Sequence, residues 1–176
     1  MYIFSGVYRL IDMLLKYMKI ILLGNAGAGK STLAKKLMGE NLIPRLSLDE
    51  VAFAGSAERR PLADSIADVK RFIAANPCWL IEGCYADIIE PMLPECDELI
   101  FLNPGVDACT AHCRGRPWEP EKFASAAEQD AHLENLIAWV ATYETREDEY
   151  GLKRHRALFD TFRGKKQEYR RPEAYK

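Results

Sequence analysis

The chain has 176 residues, of which 48% are hydrophobic and 28% charged, and its formal net charge is −2. This length suits one domain with a sizeable core, and the composition excludes a disordered or membrane-embedded protein. The near-zero charge gives the surface no bias toward nucleic acid. The five cysteines are an odd number. We therefore expect free thiols in a reducing compartment and a cytoplasmic location.

Residues 1–17, MYIFSGVYRLIDMLLKY, form an N-terminal extension. They lack the basic start and cleavage site of a signal peptide. Arg9, Asp12 and Lys16 interrupt the apolar residues, which excludes a membrane span, although the apolar positions recur at helical spacing. Two interpretations stay open: an added amphipathic helix, or a start upstream of the native one, with the domain beginning at Met18.

From residue 18 onward, short apolar runs alternate with amphipathic segments. The pattern predicts strands over 18–23, 44–50, 78–83 and 98–103, and a fifth, edge strand at KQEYR. It predicts helices over 30–39, 62–75, 106–114, 125 to about 149, and 155–162. This alternation favours a parallel sheet covered by helices on both faces, which binds ligands at the carboxyl ends of its strands.

The segment GNAGAGKS, Gly24 to Ser31, lies between the first predicted strand and the first predicted helix, and we call it the phosphate loop. It fits the pattern G-x-x-x-x-G-K-[ST], in which glycines let backbone N–H groups face a phosphate. We expect Lys30 to bridge the outer phosphates of a nucleotide and Ser31 to ligate Mg2+. The predicted nucleotide-binding residues are Gly24, Asn25, Ala26, Gly27, Ala28, Gly29, Lys30, Ser31 and Thr32.

Two acidic residues lie at the carboxyl ends of predicted strands, at the same edge of the sheet. Asp49 could orient an acceptor hydroxyl, accept its proton or hold Mg2+, and the alternative is a helix cap or a solvated loop acid. Glu82 ends the apolar run WLIE, as a metal-binding carboxylate does, and the alternative is a salt-bridged structural acid. The predicted metal ligands are Ser31, Asp49 and Glu82.

Arginines supply the charge that a phosphoryl transfer needs, because their guanidinium groups neutralise phosphate oxygens. Arg114 and Arg116 lie in a segment that could close over the nucleotide as a lid, and we predict catalytic roles for them beside Lys30 and Asp49. Arg59 and Arg60 precede the 62–75 helix on the acceptor side. The predicted substrate contacts are Arg59, Arg60, Gly83 and Tyr85.

The chain resembles P-loop kinases of the nucleoside-monophosphate kinase and shikimate kinase group. It is most similar to the adenylate-kinase-like ATPases often named topology-modulation proteins. The segments that carry this resemblance are MKIILLGNAGAGKSTLAKKL, LSLDE, WLIEGCY and ELIFLN, followed by the arginine-containing lid. Together they span about residues 18–164, which we take as the kinase domain, with 165–176 as a basic C-terminal tail.

The resemblance implies a three-layer α/β fold with five parallel strands in the order 2-3-1-4-5 and a short lid. It also implies ATP and Mg2+ as donor, with the acceptor between strand two and the lid. Asp49 matches the family's acidic residue after strand two, and Arg114 and Arg116 match lid arginines by position. The chain departs from related proteins at Glu82 and Cys84, where they usually have Asp and Asn, and it lacks the D-x-D associated with shikimate.

These features predict an ATP- and Mg2+-dependent kinase that transfers the γ-phosphoryl group to a small-molecule or nucleotide acceptor. The alternative is a P-loop ATPase that acts as a nucleotide-dependent regulator of a protein partner and has no small acceptor. We expect a monomer or homodimer that binds neither nucleic acid nor membrane.

Overall fold

The computed structural model describes residues 18–39, 43–53, 55, 58–118 and 124–175. The two interpretations of residues 1–17 lie outside these ranges.

Five parallel strands form one sheet in the order β2-β3-β1-β4-β5. The strands are β1 Lys19–Gly24, β2 Arg45–Ser47, β3 Trp79–Gly83, β4 Glu98–Leu102 and β5 Lys165–Tyr169. Because the three central strands are apolar runs that are buried almost throughout, they suit the middle of a sheet covered on both faces. The predicted α/β class and the five-stranded, all-parallel sheet are confirmed.

Seven α-helices lie within the described residues. They are α1 Lys30–Met38, α2 Leu48–Phe53, α3 Leu62–Ala75, α4 Ala86–Ile89, α5 Val106–Arg114, α6 Ala126–Ala141 and α7 Leu152–Thr161. Short 3-10 helices span Glu90–Glu95, Thr142–Glu144 and Pro172–Ala174. The predicted bounds of α3 and α5 are confirmed to the residue.

The core is divided between the two faces of the sheet, as the alternation of side chains along β1 requires. Ile21 and Leu23 belong to the cluster that packs against α2, α3, α4 and α7. Ile20 and Leu22 belong to the cluster that packs against α1, α5 and α6. The sheet is thus the middle of three layers.

The second predicted strand is shorter than the sequence suggested, and the prediction of a strand over 44–50 is wrong at its carboxyl end. β2 stops at Ser47, and α2 begins at Leu48. Leu48, Val51 and Ala52 are buried, and their i, i+3, i+4 spacing places them on one helical face. Asp49 therefore lies in the first turn of a helix and not at the end of a strand.

The helix predicted to run from 125 to about 149 is also shorter, because α6 ends at Ala141. The chain then tightens into the 3-10 turn Thr142–Glu144, which buries Tyr143. The Tyr143 hydroxyl lies 2.8 Å from Nδ1 of His155. The 3-10 turn that follows α6 thus contains a residue with a buried polar contact to α7. The next helix, α7, begins three residues before the predicted start at 155.

Residues 165–175, which lie in the predicted basic C-terminal tail, pack against the rest of the domain. β5 pairs with β4 along its full length. Tyr175 is 2% exposed, and its hydroxyl donates to the Ala28 carbonyl at 2.7 Å. The segment is basic, but its aromatic residues Tyr169 and Tyr175 pack against each other and against the core.

A buried histidine joins α7 to the loop after β3. Nε2 of His155 lies 2.9 Å from the Cys84 carbonyl, and Nδ1 lies 2.8 Å from the Tyr143 hydroxyl. Since a carbonyl only accepts, Nε2 carries the proton and Nδ1 accepts from Tyr143. Burial lowers the pKa of His155 to about 4, so the ring is neutral at pH 7.

We expect the free energy of unfolding to fall by about 2–3 kcal/mol between pH 7 and pH 4.5 through His155. The unfolded chain binds a proton near pH 6.5, whereas the folded protein resists protonation down to about pH 4. Denaturant titrations at several pH values measure this slope. His155→Gln should flatten it, and the exposed His132→Gln should not. An unchanged slope in His155→Gln would show that another group is responsible.

Candidate active site

A cleft of about 800 Å3 opens at the carboxyl ends of β1 and β3, beside α2. Its lining includes eleven of the residues predicted to bind a nucleotide, metal or substrate or to act in catalysis. Those eleven residues are Ala26, Gly27, Gly29, Lys30, Ser31, Thr32, Asp49, Glu82, Gly83, Tyr85 and Arg116. The sheet edge thus brings together groups that are far apart in the sequence.

The phosphate loop has the backbone that its glycines predict. Gly27 and Gly29 have φ angles of +75° and +92°. A Cβ at Gly27 would lie 2.3 Å from the Cys109 carbonyl oxygen of α5, which leaves no space for a side chain. Nζ of Lys30 donates to the carbonyls of Gly24 and Asn25 at 3.0 and 2.9 Å, so the lysine folds back over the loop.

Three contacts hold the phosphate loop from outside. Nδ1 of His112 donates to the Gly27 carbonyl at 2.8 Å, and the Tyr175 hydroxyl donates to the Ala28 carbonyl. The buried Asn25 side chain donates to the Val140 carbonyl of α6 at 3.2 Å. His112 and Tyr175 thus satisfy loop carbonyls, and Asn25 ties the loop to α6. The N-terminus of α1 presents its N–H groups to the cleft.

Glu82 connects the phosphate loop to β2. It is 2% exposed, and Oε2 accepts from the Ser31 hydroxyl at 3.0 Å. Oε1 accepts from Arg45, whose Nε lies at 2.9 Å and whose Nη2 forms a second, shorter contact. Glu82 is therefore salt-bridged, and it also reaches the serine predicted to ligate Mg2+. Sequence reasoning missed Arg45, because an arginine in a three-residue strand carries no signal for its partner.

We expect Arg45→Met to lower the free energy of unfolding by about 3 kcal/mol, because it leaves the buried Glu82 carboxylate without its cation. Adding Glu82→Gln should recover much of this loss, so the two changes should be strongly non-additive in a double-mutant cycle.

The matched control for Arg45→Met is Arg71→Met. Arg71 pairs with Asp68, but its side chain is 75% exposed, so the loss should stay below about 0.5 kcal/mol. Equal losses at Arg45 and Arg71, measured by denaturant titration, would contradict the importance of the buried pair.

Asp49 is exposed to the cleft, and Tyr85 holds its carboxylate. The Tyr85 hydroxyl donates to Oδ1 at 2.5 Å. Burial, followed by the neighbouring Cys84 and Asp49, raises the pKa of Tyr85 far above its ordinary value, so the hydroxyl stays protonated and remains a donor. One carboxylate oxygen is thus oriented by the protein, and Oδ2 makes no hydrogen bond or ion pair within the described residues.

The predicted arginines divide into two groups. Arg116 lines the cleft between Gly115 and Pro117, whereas the described lining does not include Arg114, which is exposed. Arg59 and Arg60 do not belong to that lining either.

Arg59 and Arg60 both form ion pairs with acidic side chains of the protein. Arg59 pairs with Asp87 at 2.7 Å and with Glu149, and Arg60 pairs with Asp68 at 2.8 Å. The prediction that Arg59 and Arg60 contact substrate therefore lacks support from the geometry: each guanidinium already has a carboxylate.

The oxygen donors around the phosphate loop suit a hard cation better than a soft one. Ser31 Oγ and Glu82 Oε2 lie side by side, and Asp49 lines the same cleft. No group of three or more His, Cys, Asp or Glu side chains with metal-binding geometry occurs within the described residues. A site here would rely on phosphate oxygens and water for its remaining ligands, as Mg2+ sites on nucleotides do.

The five thiols are all free, and two of them, Cys109 and Cys113, lie on the same helix, α5. Burial raises the pKa of Cys84 and Cys109 to about 11, so these thiols are protonated at neutral pH and are poor nucleophiles. Across the part of the chain that the structure describes, no helix is long and apolar enough to cross a membrane.

Comparison with known proteins adds no family assignment. No protein-family model matches the chain, and a search of curated proteins finds no significant relative.

Proposed function

We propose that this protein is a P-loop phosphotransferase that moves the γ-phosphoryl group of ATP to a hydroxyl group of a small molecule. One observation carries the proposal: a single cleft joins Lys30 and Ser31 of the phosphate loop to the oriented carboxylate of Asp49. The strand order β2-β3-β1-β4-β5 and the position of the loop after β1 also support it.

The phosphate loop is the proposed nucleotide site. The positive φ angles of its glycines and the N-terminus of α1 suit a bound phosphate. On binding, Nζ of Lys30 would exchange its two loop carbonyls for phosphate oxygens. Ser31, supported by Glu82, would hold Mg2+, which supplies charge neutralisation on the phosphates.

Asp49 is the proposed acceptor-orienting base. Tyr85 fixes Oδ1, which leaves Oδ2 to accept the proton of the acceptor hydroxyl. The acceptor oxygen then forms a bond to the γ-phosphorus while the bond from that phosphorus to the β–γ bridging oxygen breaks, and ADP leaves. Arg116 is positioned on the cleft to neutralise charge on the transferred group.

Acceptor-dependent ADP formation tests this proposal. The purified protein is incubated with ATP, Mg2+ and a panel of hydroxyl-bearing metabolites, nucleosides and nucleoside monophosphates, and ADP is followed by a coupled assay. We expect at least one acceptor class to raise the rate above basal hydrolysis. If no acceptor does, the alternative of an ATPase that regulates a protein partner replaces the kinase proposal.

A further inference from the structure

Four aromatic side chains form a continuous wall on the side of the cleft that holds Asp49. Phe53, Tyr85, Tyr150 and Trp139 all line it. Their ring centroids lie 6.4, 5.4 and 5.5 Å apart in that order, each pair with an edge-to-face angle of 67–74°. We call these four residues the aromatic wall. They come from α2, the loop after β3, the turn before α7, and α6.

Two arginines support the aromatic wall by stacking on its rings. The Cζ atom of Arg59 lies 5.4 Å from the centroids of both Tyr85 and Tyr150. The Cζ atom of Arg146 lies 4.3 Å from Trp139 and 5.5 Å from Tyr150. Such stacking holds aromatic rings in fixed orientations. The described lining of the cleft contains neither arginine.

The charge of each supporting arginine is neutralised by acidic side chains. Arg59 pairs with Asp87 and Glu149, and Arg146 pairs with Asp148 at 3.0 Å. Arg146 makes its ion pair through Nε, while its Nη1 is buried and has no hydrogen-bond partner within the described residues. Binding an anion from the cleft would require breaking the pairs of Arg59 or uncovering the buried Nη1 of Arg146.

The charges that face the cleft itself are unevenly distributed. Within the described lining the cations are Lys30, Lys35 and Arg116, from the phosphate loop, α1 and the segment after α5. Among the charged residues of that lining, Asp49 is the one with a hydrogen bond to the aromatic wall, which it accepts from Tyr85. A phosphate or carboxylate on an acceptor packed against this wall would therefore lie near the like-charged Asp49 carboxylate.

From this arrangement, and resting on the proposed phosphotransferase function, we infer that the acceptor is an uncharged alcohol bearing a planar aromatic or heteroaromatic ring. The ring would pack against the aromatic wall, and the hydroxyl would reach Asp49. Flat rings with different substituents can all pack on aromatic side chains. The wall would therefore select a class of ring compounds and not one particular compound. Nucleosides and benzyl-type alcohols belong to this class, whereas nucleoside monophosphates and carboxylated alcohols do not.

Matched acceptor pairs test the inference. Each of several nucleosides is compared with its 5′-monophosphate, and benzyl alcohol is compared with 4-(hydroxymethyl)benzoic acid and with the ring-free alcohol glycerol. The measured quantity is kcat/KM of acceptor-dependent ADP formation. We expect the uncharged ring compound to have the higher value in each pair. A higher value for the anionic member would overturn the inference and leave the phosphotransferase proposal standing.

Variants of Phe53 test whether the aromatic wall causes the preference for uncharged ring acceptors. Phe53→Leu keeps an apolar side chain but removes the ring, and we expect it to lower kcat/KM for ring acceptors by about 5- to 150-fold with little change in the KM for ATP. Phe53→Arg places a cation on the wall and should shift the preference toward the anionic member of each pair. Phe159→Leu removes a ring outside the cleft and is the matched control.

Equilibrium dialysis separates the failure of this inference from the failure of the proposed function. If no acceptor is phosphorylated, the phosphotransferase proposal fails, and binding of the same nucleosides and alcohols still tests the wall. Tighter binding of the uncharged ring compound, weakened by Phe53→Leu, supports the inferred ligand class. Equal binding of charged and uncharged members, or an equal effect of Phe53→Leu on ring and ring-free compounds, overturns it.

Discussion

Replacing Lys30 with methionine is expected to lower kcat/KM for ATP by about 100- to 1,000-fold, the range found when one preorganised donor to a transferred group is removed. Nζ of Lys30 lies over the loop and donates only to the carbonyls of Gly24 and Asn25 in the described contacts. Methionine has a similar length and leaves the fold intact while removing the charge. Steady-state kinetics and calorimetric titration with ATP measure the effect.

Lys70→Met is the matched control for this loss. Lys70 is exposed on α3 and does not belong to the described lining of the cleft. The control should therefore keep its ATP affinity and rate, because removal of an exposed charge outside the cleft has little effect at ordinary ionic strength. If Lys30→Met retained the wild-type kcat/KM, the phosphate loop would not be the nucleotide site.

Asp49→Asn should lower kcat for phosphoryl transfer by about 100- to 10,000-fold while the KM for ATP changes little. The amide has the same shape as the carboxylate, and its oxygen still accepts from the Tyr85 hydroxyl. It lacks the proton affinity that a base needs. A loss of transfer with ATP binding preserved would separate acceptor activation from nucleotide binding.

Glu50→Gln provides the comparison for Asp49→Asn. Glu50 is the next residue of α2, is also exposed, and does not belong to the described lining of the cleft. Both changes remove one negative charge from the first turn of the same helix. If the two variants lost activity equally, Asp49 would act through the helix terminus, as a cap or a solvated acid, and not on the acceptor.

Local sequence patterns predict the central part of this fold well. β1, β3 and β4 are apolar runs that are followed by turn residues. Continuous apolar runs of this length are typical of strands that a parallel sheet buries on both faces. α3 is bounded by Pro61 and Asn76, which end helical backbone on both sides. Where two patterns competed, as at Leu48, burial on a helical face decided the outcome.

Those residues of the candidate site that lie in one short segment can be predicted from the sequence. Contacts between residues from distant segments are harder to predict. The phosphate loop contains its own glycines, lysine and serine, so their spacing alone is enough to predict a phosphate site there. By contrast, the Tyr175 contact to Ala28 spans 147 residues. The Arg45–Glu82 pair and the stacking of Arg59 on Tyr85 also depend on how the sheet assembles. Local patterns do not encode these contacts.

The destination of the γ-phosphoryl group tests the account most directly. Phosphorus NMR follows the wild-type protein and Asp49→Asn with ATP, Mg2+ and an uncharged ring alcohol such as a nucleoside. We predict that the wild type produces a phosphate monoester resonance at the rate at which the γ-phosphate signal of ATP declines, and that Asp49→Asn does not. Inorganic phosphate as the sole product in the wild type, at the same rate with and without acceptor, would contradict the account.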